Sequence, residues 1–342
     1  MVNVFDMTKH ELEQFLEMYN IKKFRASQIF QYIYKQGITN WDDMVLLPKK
    51  DRELLQEKAP IYFPEVMDRL ESSDGRTVKL LLRMADGNTV ESVMMKHDYG
   101  NSICVSTQVG CSVKCVFCAS AKNGFIRNLT AGEMIVQLLA FKKQVDPELH
   151  SLVLMGTGEP LLNYENVLRF LHMIHEKETF YMGYRNITLS TAGIVPRMYD
   201  LAEEGIPITL AVSLHAPTTD IRKELMPITN TYPLEDVLTA ADTYFLKTGR
   251  KVTYEYILIK NVNCSISCAE ILTRIMKGKN ILINIIPLND NYDVGLRKPS
   301  QMETNRFFSY LQKQGLNVTL RKEMGSQIQA ACGQLRIKRE NI

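Results

Sequence analysis

The sequence lacks the features that would place it in a membrane or outside the cell. No run approaches the roughly 20 apolar residues of a transmembrane helix. The segment from Met1 to Thr8 has neither the basic region nor the apolar stretch of a signal peptide. Low-complexity segments and repeats of obvious period are also missing. We therefore expect a cytoplasmic protein without a membrane partner.

A strong charge imbalance is missing too. The 41 Lys and Arg residues nearly balance 38 Asp and Glu, which leaves a net charge of +3 over 342 residues. Charge alone therefore does not indicate nucleic-acid binding, although clustered basic residues would permit it. With 45% hydrophobic and 23% charged residues, the composition is typical of a globular chain with one large domain and a small one.

The seven cysteines form no even disulfide framework, which favours a reducing compartment. Three of them, Cys111, Cys115 and Cys118, follow a C-x3-C-x2-C spacing, with Phe117 before the last thiol. Three thiolates this close can hold three irons of a 4Fe-4S cluster and leave the fourth iron open. An open iron can chelate the amino and carboxylate groups of S-adenosylmethionine (SAM), as in radical-SAM chemistry.

Two other interpretations of the triplet are weaker. A structural zinc site needs four ligands, and Cys104 could supply the fourth. Zinc sites usually pair one C-x2-C with another or with two histidines, which this triplet does not do. Three neighbouring thiols cannot all form local disulfides. The cluster is favoured, and a non-catalytic zinc-containing RNA-binding module is the alternative from another class.

The first 70 residues predict helices. Thr8 followed by Glu11 matches a capping box, and further helices are expected over 24–35 and from Pro48. Basic residues recur along these helices: Lys22, Lys23, Arg25, Lys49, Lys50 and Arg52. They fit solvated helix faces and a small RNA-docking domain equally well.

The rest of the chain predicts strands followed by alternating strands and helices. Residues 76–96 predict a β-hairpin that turns at Asp86-Gly87. Further strands are expected at 151–155, 185–190, 208–213, 252–257 and 281–286. Helices are expected at 131–143, 164–175, 194–204, 234–246 and 303–315. Serial βα units predict a parallel sheet that binds ligands at the carboxyl ends of its strands.

Polar residues follow several of these strand ends. In the run Met155-Gly156-Thr157-Gly158-Glu159-Pro160, two glycines would let the backbone approach a ligand, and Glu159 could accept from an ammonium group. A tight turn with a capping glutamate is the ordinary alternative. Ser190, Ser213, His215 and Asn289 also follow strands. Any one of them alone would more often be a satisfied loop residue.

The remaining thiols are harder to interpret from pattern alone. Cys332 lies among small residues, and Cys104 lies seven residues before Cys111. The common fate of a free cysteine is that of a small buried hydrophobe, and we assign Cys264 and Cys268 to it.

At this level of detail the chain resembles the RlmN/Cfr family of radical-SAM RNA methyltransferases over nearly its whole length. The matching segments are 108–111 with the triplet, 124–130, the Gly-Glu-Pro turn, 213–216 and 330–335. The Gly-Glu-Pro-Leu-Leu-Asn run at 158–163 is closer to RlmN than to Cfr. The resemblance implies an α/β fold, a partial (β/α) barrel of the radical-SAM type with a small helical N-terminal domain. We divide the chain into a helical RNA-docking domain (1–72), a β-hairpin linker (73–97) and a radical-SAM core (98–342).

The resemblance also implies a radical mechanism, since carbon 2 of adenine has no nucleophilic lone pair to displace a methyl group from SAM. Cys332 would accept a methyl from one SAM, and a deoxyadenosyl radical from a second SAM would activate that methyl group. The methylene carbon would add to the ring, Glu91 would remove the ring proton, and Cys104 would release the product as a disulfide forms. Glu91 stands out only through the resemblance, since its pattern is that of an exposed strand residue.

By the same resemblance, a set of strand-end residues contacts SAM: Gly158, Glu159, Ser190, Ser213, Leu214, His215 and Asn289. The implied partners are 23S ribosomal RNA, transfer RNA as a second candidate, and an electron donor such as flavodoxin or ferredoxin, with the enzyme a monomer. Methylation of carbon 8, as in the Cfr branch, is the alternative within enzymes.

The chain departs from the usual family pattern at several positions. Gln327 and Gln329 occupy positions where the family usually has acidic residues. Thr157 replaces the usual Met, Leu288 replaces an aromatic residue, and Cys264 replaces Asp. The thiols and cluster ligands are intact, so the mechanism is expected to hold. A diverged paralogue with another RNA target is the alternative.

Overall fold

The computed structural model describes residues 3–122, 124–289 and 295–321, together with 325, 328, 330 and 333–335. The strands in these ranges are β1 (Glu65–Glu71), β2 (Thr77–Arg83), β3 (Thr89–His97), β4 (Gly100–Cys104), β5 (Gln108–Gly110), β6 (Phe125–Asn128), β7 (Ser151–Leu154), β8 (Ile187–Thr191), β9 (Thr209–Ser213), β10 (Val252–Leu258), β11 (Ile281–Pro287) and β12 (Val318–Leu320). The α-helices are α1 (Lys9–Met18), α2 (Phe24–Phe30), α3 (Lys49–Lys58), α4 (Ala131–Gln144), α5 (Tyr164–His175), α6 (Val195–Glu203), α7 (Thr219–Leu225), α8 (Leu234–Thr248), α9 (Ile266–Met276) and α10 (Gln301–Lys313).

Ten of these strands form one sheet in the order β1-β2-β3-β4-β7-β8-β9-β10-β11-β12. From β4 through β7 to β12 every pairing is parallel, whereas β1, β2, β3 and β4 pair antiparallel. The parallel strands follow chain order, and β1 and β12 lie at the two ends of the sheet, so the sheet curves as an open barrel. This confirms the predicted α/β fold and partial (β/α) barrel.

The elements predicted in the barrel are confirmed, with each boundary within two residues of the observed one. Two helices between them, α7 and α9, were not predicted. Their N-cap residues are Thr218 and Ser265. The hydroxyl of each N-cap accepts a hydrogen bond from the backbone N–H three residues further along the chain.

The predicted hairpin is confirmed, because β2 pairs with β3 over the full length from Thr77 to Arg83. The expectation of helix up to about residue 70 is wrong for Glu65–Glu71, which form β1 against β2. This edge strand is mostly polar and only partly buried, so it carries little of the apolar alternation that identifies a strand.

The N-terminal helices pack directly against the barrel. Thr8 and Glu11 form the predicted capping box at the start of α1. Asp6 accepts from the Gly132 backbone N–H at the start of α4 at 2.6 Å, and Arg169 of α5 donates to the Asp6 carbonyl. One apolar core includes residues of the N-terminal helices and of the barrel strands. The division at residue 72 stays a prediction.

The parallel strands alternate between the outer core and the barrel lumen. Along β10, Tyr254 and Tyr256 are fully buried in the core, while Thr253 and Glu255 line a cavity of about 840 Å³. The cavity is therefore the interior of the barrel. In the part of the chain that is described, no helix is both long and apolar enough to cross a membrane.

Candidate radical-SAM site

The cysteine loop follows β5 at the carboxyl end of the barrel strands. The Cys111 N–H donates to Gly124 O at 3.1 Å, and the Val116 N–H donates to Leu225 O at the end of α7 at 3.0 Å. Lys114 takes a left-handed conformation with φ of 59° between the first two thiols. These contacts fix a compact loop that carries all three predicted ligands.

The three thiols share an apolar environment. Cys111, Cys115 and Cys118 pack against a cluster that includes Phe117 and Leu288, so the aromatic expected at 288 is replaced by a buried aliphatic side chain. Burial raises the pKa of the Cys111 thiol to about 12, and it raises the pKa of Cys115 well above its usual value. Without a cation these thiols stay protonated at neutral pH. Iron would compensate the buried thiolate charge, so the residues present fit a 4Fe-4S cluster.

The geometry disfavours the zinc alternative. Within the described ranges, no group of three or more Cys, His, Asp or Glu side chains converges on a position for a single metal ion. Mononuclear zinc requires such convergence.

The Gly-Thr-Gly-Glu turn follows β7 and packs tightly on β5. Gly158 has φ of 113°, and a Cβ there would lie 2.8 Å from the Gln108 backbone nitrogen. A Cβ on Gly156 would lie 2.7 Å from the Ser106 backbone nitrogen. Glycine is therefore required at both positions by close backbone packing. Thr157 is buried, and its N–H donates to the Ser106 hydroxyl at 2.9 Å.

Glu159 is held by three donors although it is only 4% exposed. Its carboxylate accepts from the Thr191 hydroxyl and the Ala192 N–H, both at 2.7 Å, and from the Leu161 N–H at 3.1 Å. Burial raises the pKa of Glu159 to about 7 in spite of these bonds. An ammonium group placed beside it would favour the carboxylate, so the site suits a bound amine.

His215 lies in a left-handed conformation with φ of 58°, just beyond β9. Its Nδ1 accepts from the Ile257 N–H at 3.0 Å, so the neutral ring carries its proton on Nε2. Burial, with a further contribution from Arg222, lowers the pKa of His215 to about 3. The ring packs edge-on against Phe117 of the cysteine loop, with centroids 4.9 Å apart. His215 is therefore a neutral donor beside that loop.

The other predicted SAM contacts also lie at strand ends. Ser190 is in β8, Ser213 ends β9, and the buried Leu214 follows it. Asn289 is buried beyond β11 and lines the cavity. The structure brings these residues to one end of the barrel, and their roles toward SAM stay predictions.

Glu91 is buried in β3, which corrects its sequence pattern of an exposed strand residue. Its Oε1 lies 2.9 Å from Lys79 Nζ, and both side chains are at most 6% exposed. Glu91 is on the same face of β3 as Val93, which lines the cavity. Glu91 and Lys79 thus form a buried pair on the face of the sheet that Val93 shares.

Cys104 ends β4 and is buried with Val93, Ala330 and Leu335. Cys332, Gln327 and Gln329 lie outside the described residues. The described neighbours of Cys332 on both sides are Ala330 and Gly333–Leu335.

The neighbours on the C-terminal side are bonded to residues that directly follow the cysteine loop. The Ala119 N–H donates to Gly333 O at 2.7 Å, and the Ser120 hydroxyl donates to Leu335 O at 2.7 Å. On the N-terminal side, Ala330 packs in the cluster of Cys104.

Sequence reasoning missed three charged side chains in or around this site. Lys79 pairs with Glu91, Arg222 is fully buried in α7, and Glu255 lines the cavity with Asn284 donating to it at 2.9 Å. Glu255 and Lys79 lie inside strongly apolar strand patterns, and that position was the only available signal. Arg222 has no comparable signal, because charged residues in a helix are usually exposed.

An open parallel barrel that carries a three-cysteine loop beside a Gly-Glu turn defines a radical-SAM enzyme, and residues 105–265 match the Radical SAM superfamily. Residues 2–61 match the ribosomal RNA large subunit methyltransferase N-terminal domain. The chain is 46% identical over 98% of both chains to the probable dual-specificity RNA methyltransferase RlmN of Clostridium novyi. It therefore belongs to the RlmN family of radical-SAM methyltransferases.

Two further comparisons agree. The chain is 44% identical to the probable dual-specificity RNA methyltransferase RlmN of Clostridium acetobutylicum, over 98% of this chain and 97% of that protein. The crystal structure of a radical SAM methyltransferase from Sphaerobacter thermophilus superposes with a TM-score of 0.95 at 40% identity. That match covers 98% of this chain and 99% of the other.

Proposed function

We propose that the protein methylates carbon 2 of an adenosine in 23S ribosomal RNA and in transfer RNA, through a methylcysteine intermediate. The observation that carries the proposal is the placement of the described residues on either side of Cys332: Ala330 and Leu335 pack with Cys104, and Gly333 and Leu335 are bonded to Ala119 and Ser120 after the cysteine loop. The names of the relatives, dual-specificity RNA methyltransferases, support RNA as the substrate.

The residues that would hold the cofactors lie at one end of the barrel. Cys111, Cys115 and Cys118 would ligate three irons of a 4Fe-4S cluster, and the strand-end residues from Gly158 to Asn289 would bind SAM. When bound, this pair supplies the one-electron cleavage of SAM that generates a carbon radical. Two SAM molecules would be consumed per turnover, one as methyl donor and one as radical source.

The protein's own residues would carry the methyl group and release the product. The Cys332 thiolate would take a methyl from SAM, which forms a thioether. Once that carbon is joined to ring carbon 2, the adduct would give back one electron to the oxidised cluster, and the Glu91 carboxylate would remove the ring proton. The Cys104 thiolate would then attack the Cys332 sulfur, which forms a Cys104–Cys332 disulfide and breaks the bond from sulfur to carbon. The released carbon would take up a proton, which completes the methyl group.

The disulfide product has a consequence for the partners. Each turnover leaves two oxidised thiols that must be reduced before the next methyl transfer, and SAM cleavage needs an electron as well. We propose a flavodoxin or ferredoxin as the electron donor, and a monomeric enzyme that acts in the cytoplasm.

Three cysteine variants test the mechanism in anaerobic reactions with SAM, reductant and protein-free ribosomal RNA. Cys332→Ala should keep its iron but form no methylated RNA. Cys104→Ala should accumulate RNA covalently bound to protein. The matched control is Cys268→Ala, since Cys268 is buried in α9 outside the site, and it should methylate like the wild type. Methylation by Cys332→Ala would contradict the covalent mechanism.

A further inference from the structure

Arg222 of α7 is fully buried, yet its guanidinium is bound on every side. Nε donates to Leu214 O at 3.2 Å, and Nη2 donates to Ala192 O at 2.6 Å and to Ser213 O at 3.0 Å. Nη1 donates to the Thr229 hydroxyl at 2.9 Å. The Arg222 side chain thus bridges the ends of β8 and β9 through hydrogen bonds.

Each of these four acceptors is a neutral group. Within the described part of the chain, no carboxylate forms an ion pair with Arg222. Burial lowers the pKa of the guanidinium to about 10, so it stays protonated at neutral pH. A buried cation without a counter-ion is costly, and proteins usually provide a partner.

The residues around Arg222 point to where that partner belongs. Ile221 and Leu225 pack in the same apolar cluster as the three cysteines. The Val116 N–H, inside the cysteine loop, donates to Leu225 O at 3.0 Å. Arg222 is thus flanked in α7 by residues that pack on the cysteine loop, and its charge acts on that loop through an apolar, low-dielectric region.

We propose that Arg222 is the buried counter-ion of the cluster–SAM assembly and sets the reduction potential of the cluster. Three thiolates around an oxidised 4Fe-4S core leave one net negative charge, which SAM does not change because its carboxylate and sulfonium charges cancel. One-electron reduction makes the assembly more negative still. A fixed cation nearby favours the reduced form, because cluster potentials depend on net charge and burial.

The inference depends on the cluster that the family requires, and not on which RNA atom is methylated. Arg222 is a positioning and charge-setting residue, since it reaches carbonyl groups of the site rather than the reacting atoms. Removal of one unit charge should change the redox equilibrium roughly tenfold, which at an effective dielectric constant of about 20 corresponds to a separation of about 12 Å. For a one-electron couple, a tenfold change is about 59 mV.

The experiment is a redox titration of the cluster, followed by electron paramagnetic resonance, on anaerobically reconstituted full-length protein. Arg222→Gln should lower the reduction potential of the cluster, by the shift that corresponds to a roughly tenfold smaller equilibrium constant for reduction. Arg222→Lys keeps the charge, so its reduction potential should stay near that of the wild type. The remote control is Arg250→Gln, since Arg250 donates to Thr209 at the opposite end of the barrel.

A second pair covers the case in which Arg222→Gln does not fold. Thr229→Asp would place a carboxylate beside the guanidinium and neutralise its charge, whereas Thr229→Asn perturbs the same bond without charge. The proposal predicts a lowered potential for the aspartate variant only. It is overturned if Arg222→Gln and Arg222→Lys shift the potential equally, or if Thr229→Asp and Thr229→Asn differ by less than twofold in the equilibrium constant.

Discussion

Single residues in the site hold protonation states that differ from those in water. Glu159 and His215 are both buried, and burial drives both toward their neutral forms. Glu159 keeps three donors aimed at its oxygens, so a bound ammonium group can restore its charge. His215 has its Nδ1 occupied and offers only Nε2–H, so it acts as a donor.

Replacement of Glu159 by Gln should weaken SAM binding by about 10- to 100-fold, since a charge-assisted hydrogen bond is worth roughly 1.5–3 kcal/mol. Equilibrium dialysis on anaerobically reconstituted protein measures this, with iron and sulfide content as a check on the cluster. Glu204→Gln is the matched control, because Glu204 pairs with Tyr164 at the surface. Equal SAM affinity of Glu159→Gln and the wild type would refute the assignment.

His215 should make stability fall as the pH drops. Its pKa is near 6.5 in the unfolded chain and about 3 in the folded protein, so between these values the unfolded state binds more protons. Stability should therefore decrease below pH 6.5, by about 2 kcal/mol between pH 7 and pH 5. Urea unfolding of cluster-free wild type and His215→Gln isolates this effect. Parallel pH dependence of the two proteins would show that His215 is not held neutral.

Individual residues of the site were predictable only where a local sequence pattern identifies them. The cysteine spacing and the Gly-Glu turn stand out because close-set thiols and paired glycines are uncommon. Glu91 needed the family resemblance. Arg222 could not be predicted from the sequence, since whether a helix arginine is buried depends on contacts with α7 that only the folded chain creates.

At the scale of elements, the turn after β7 is the most constrained part of the site. Gly158→Ala should destabilise the protein by about 2 kcal/mol more than Gly205→Ala. Both glycines have positive φ, but a Cβ on Gly158 would meet the β5 backbone, whereas one on Gly205 meets nothing within 4 Å. Chemical denaturation of the two variants measures the difference. Equal losses of stability would mean that the turn can relax away from β5.

The barrel elements were predictable because buried parallel strands and amphipathic helices alternate clearly in the sequence. The short strands β4, β5, β6 and β12 were not predicted. β1, α7 and α9 were missed as well, for different reasons. β1 is a polar edge strand, and α7 is only seven residues long. α9 carries Cys268, to which we gave a packing role without assigning the helix around it.

At the scale of the whole molecule, hydrogen bonds join the helical N-terminal region to α4, to α5 and to the segment after α5. Besides the Asp6 contacts, Lys142 donates to Tyr34 O at 2.6 Å, and Lys35 donates to Thr179 O at 2.6 Å. Because one apolar core spans both parts, they are expected to unfold together. The N-terminal helices therefore form a fixed platform next to the barrel.

Calorimetry should accordingly record one main unfolding transition. Arg169→Ala removes the donor to the Asp6 carbonyl and should lower the midpoint of that whole transition by a few degrees. Two transitions, with only the smaller one moved by Arg169→Ala, would show that the N-terminal region folds independently.

The central claim is that this molecule methylates adenosine at carbon 2. The most direct test is an anaerobic reaction of the reconstituted enzyme with SAM, reductant and protein-free ribosomal RNA, followed by mass spectrometry of the nucleosides against both methyladenosine standards. We predict 2-methyladenosine as the product. 8-Methyladenosine, or reductive SAM cleavage without any methylated base, would contradict the account.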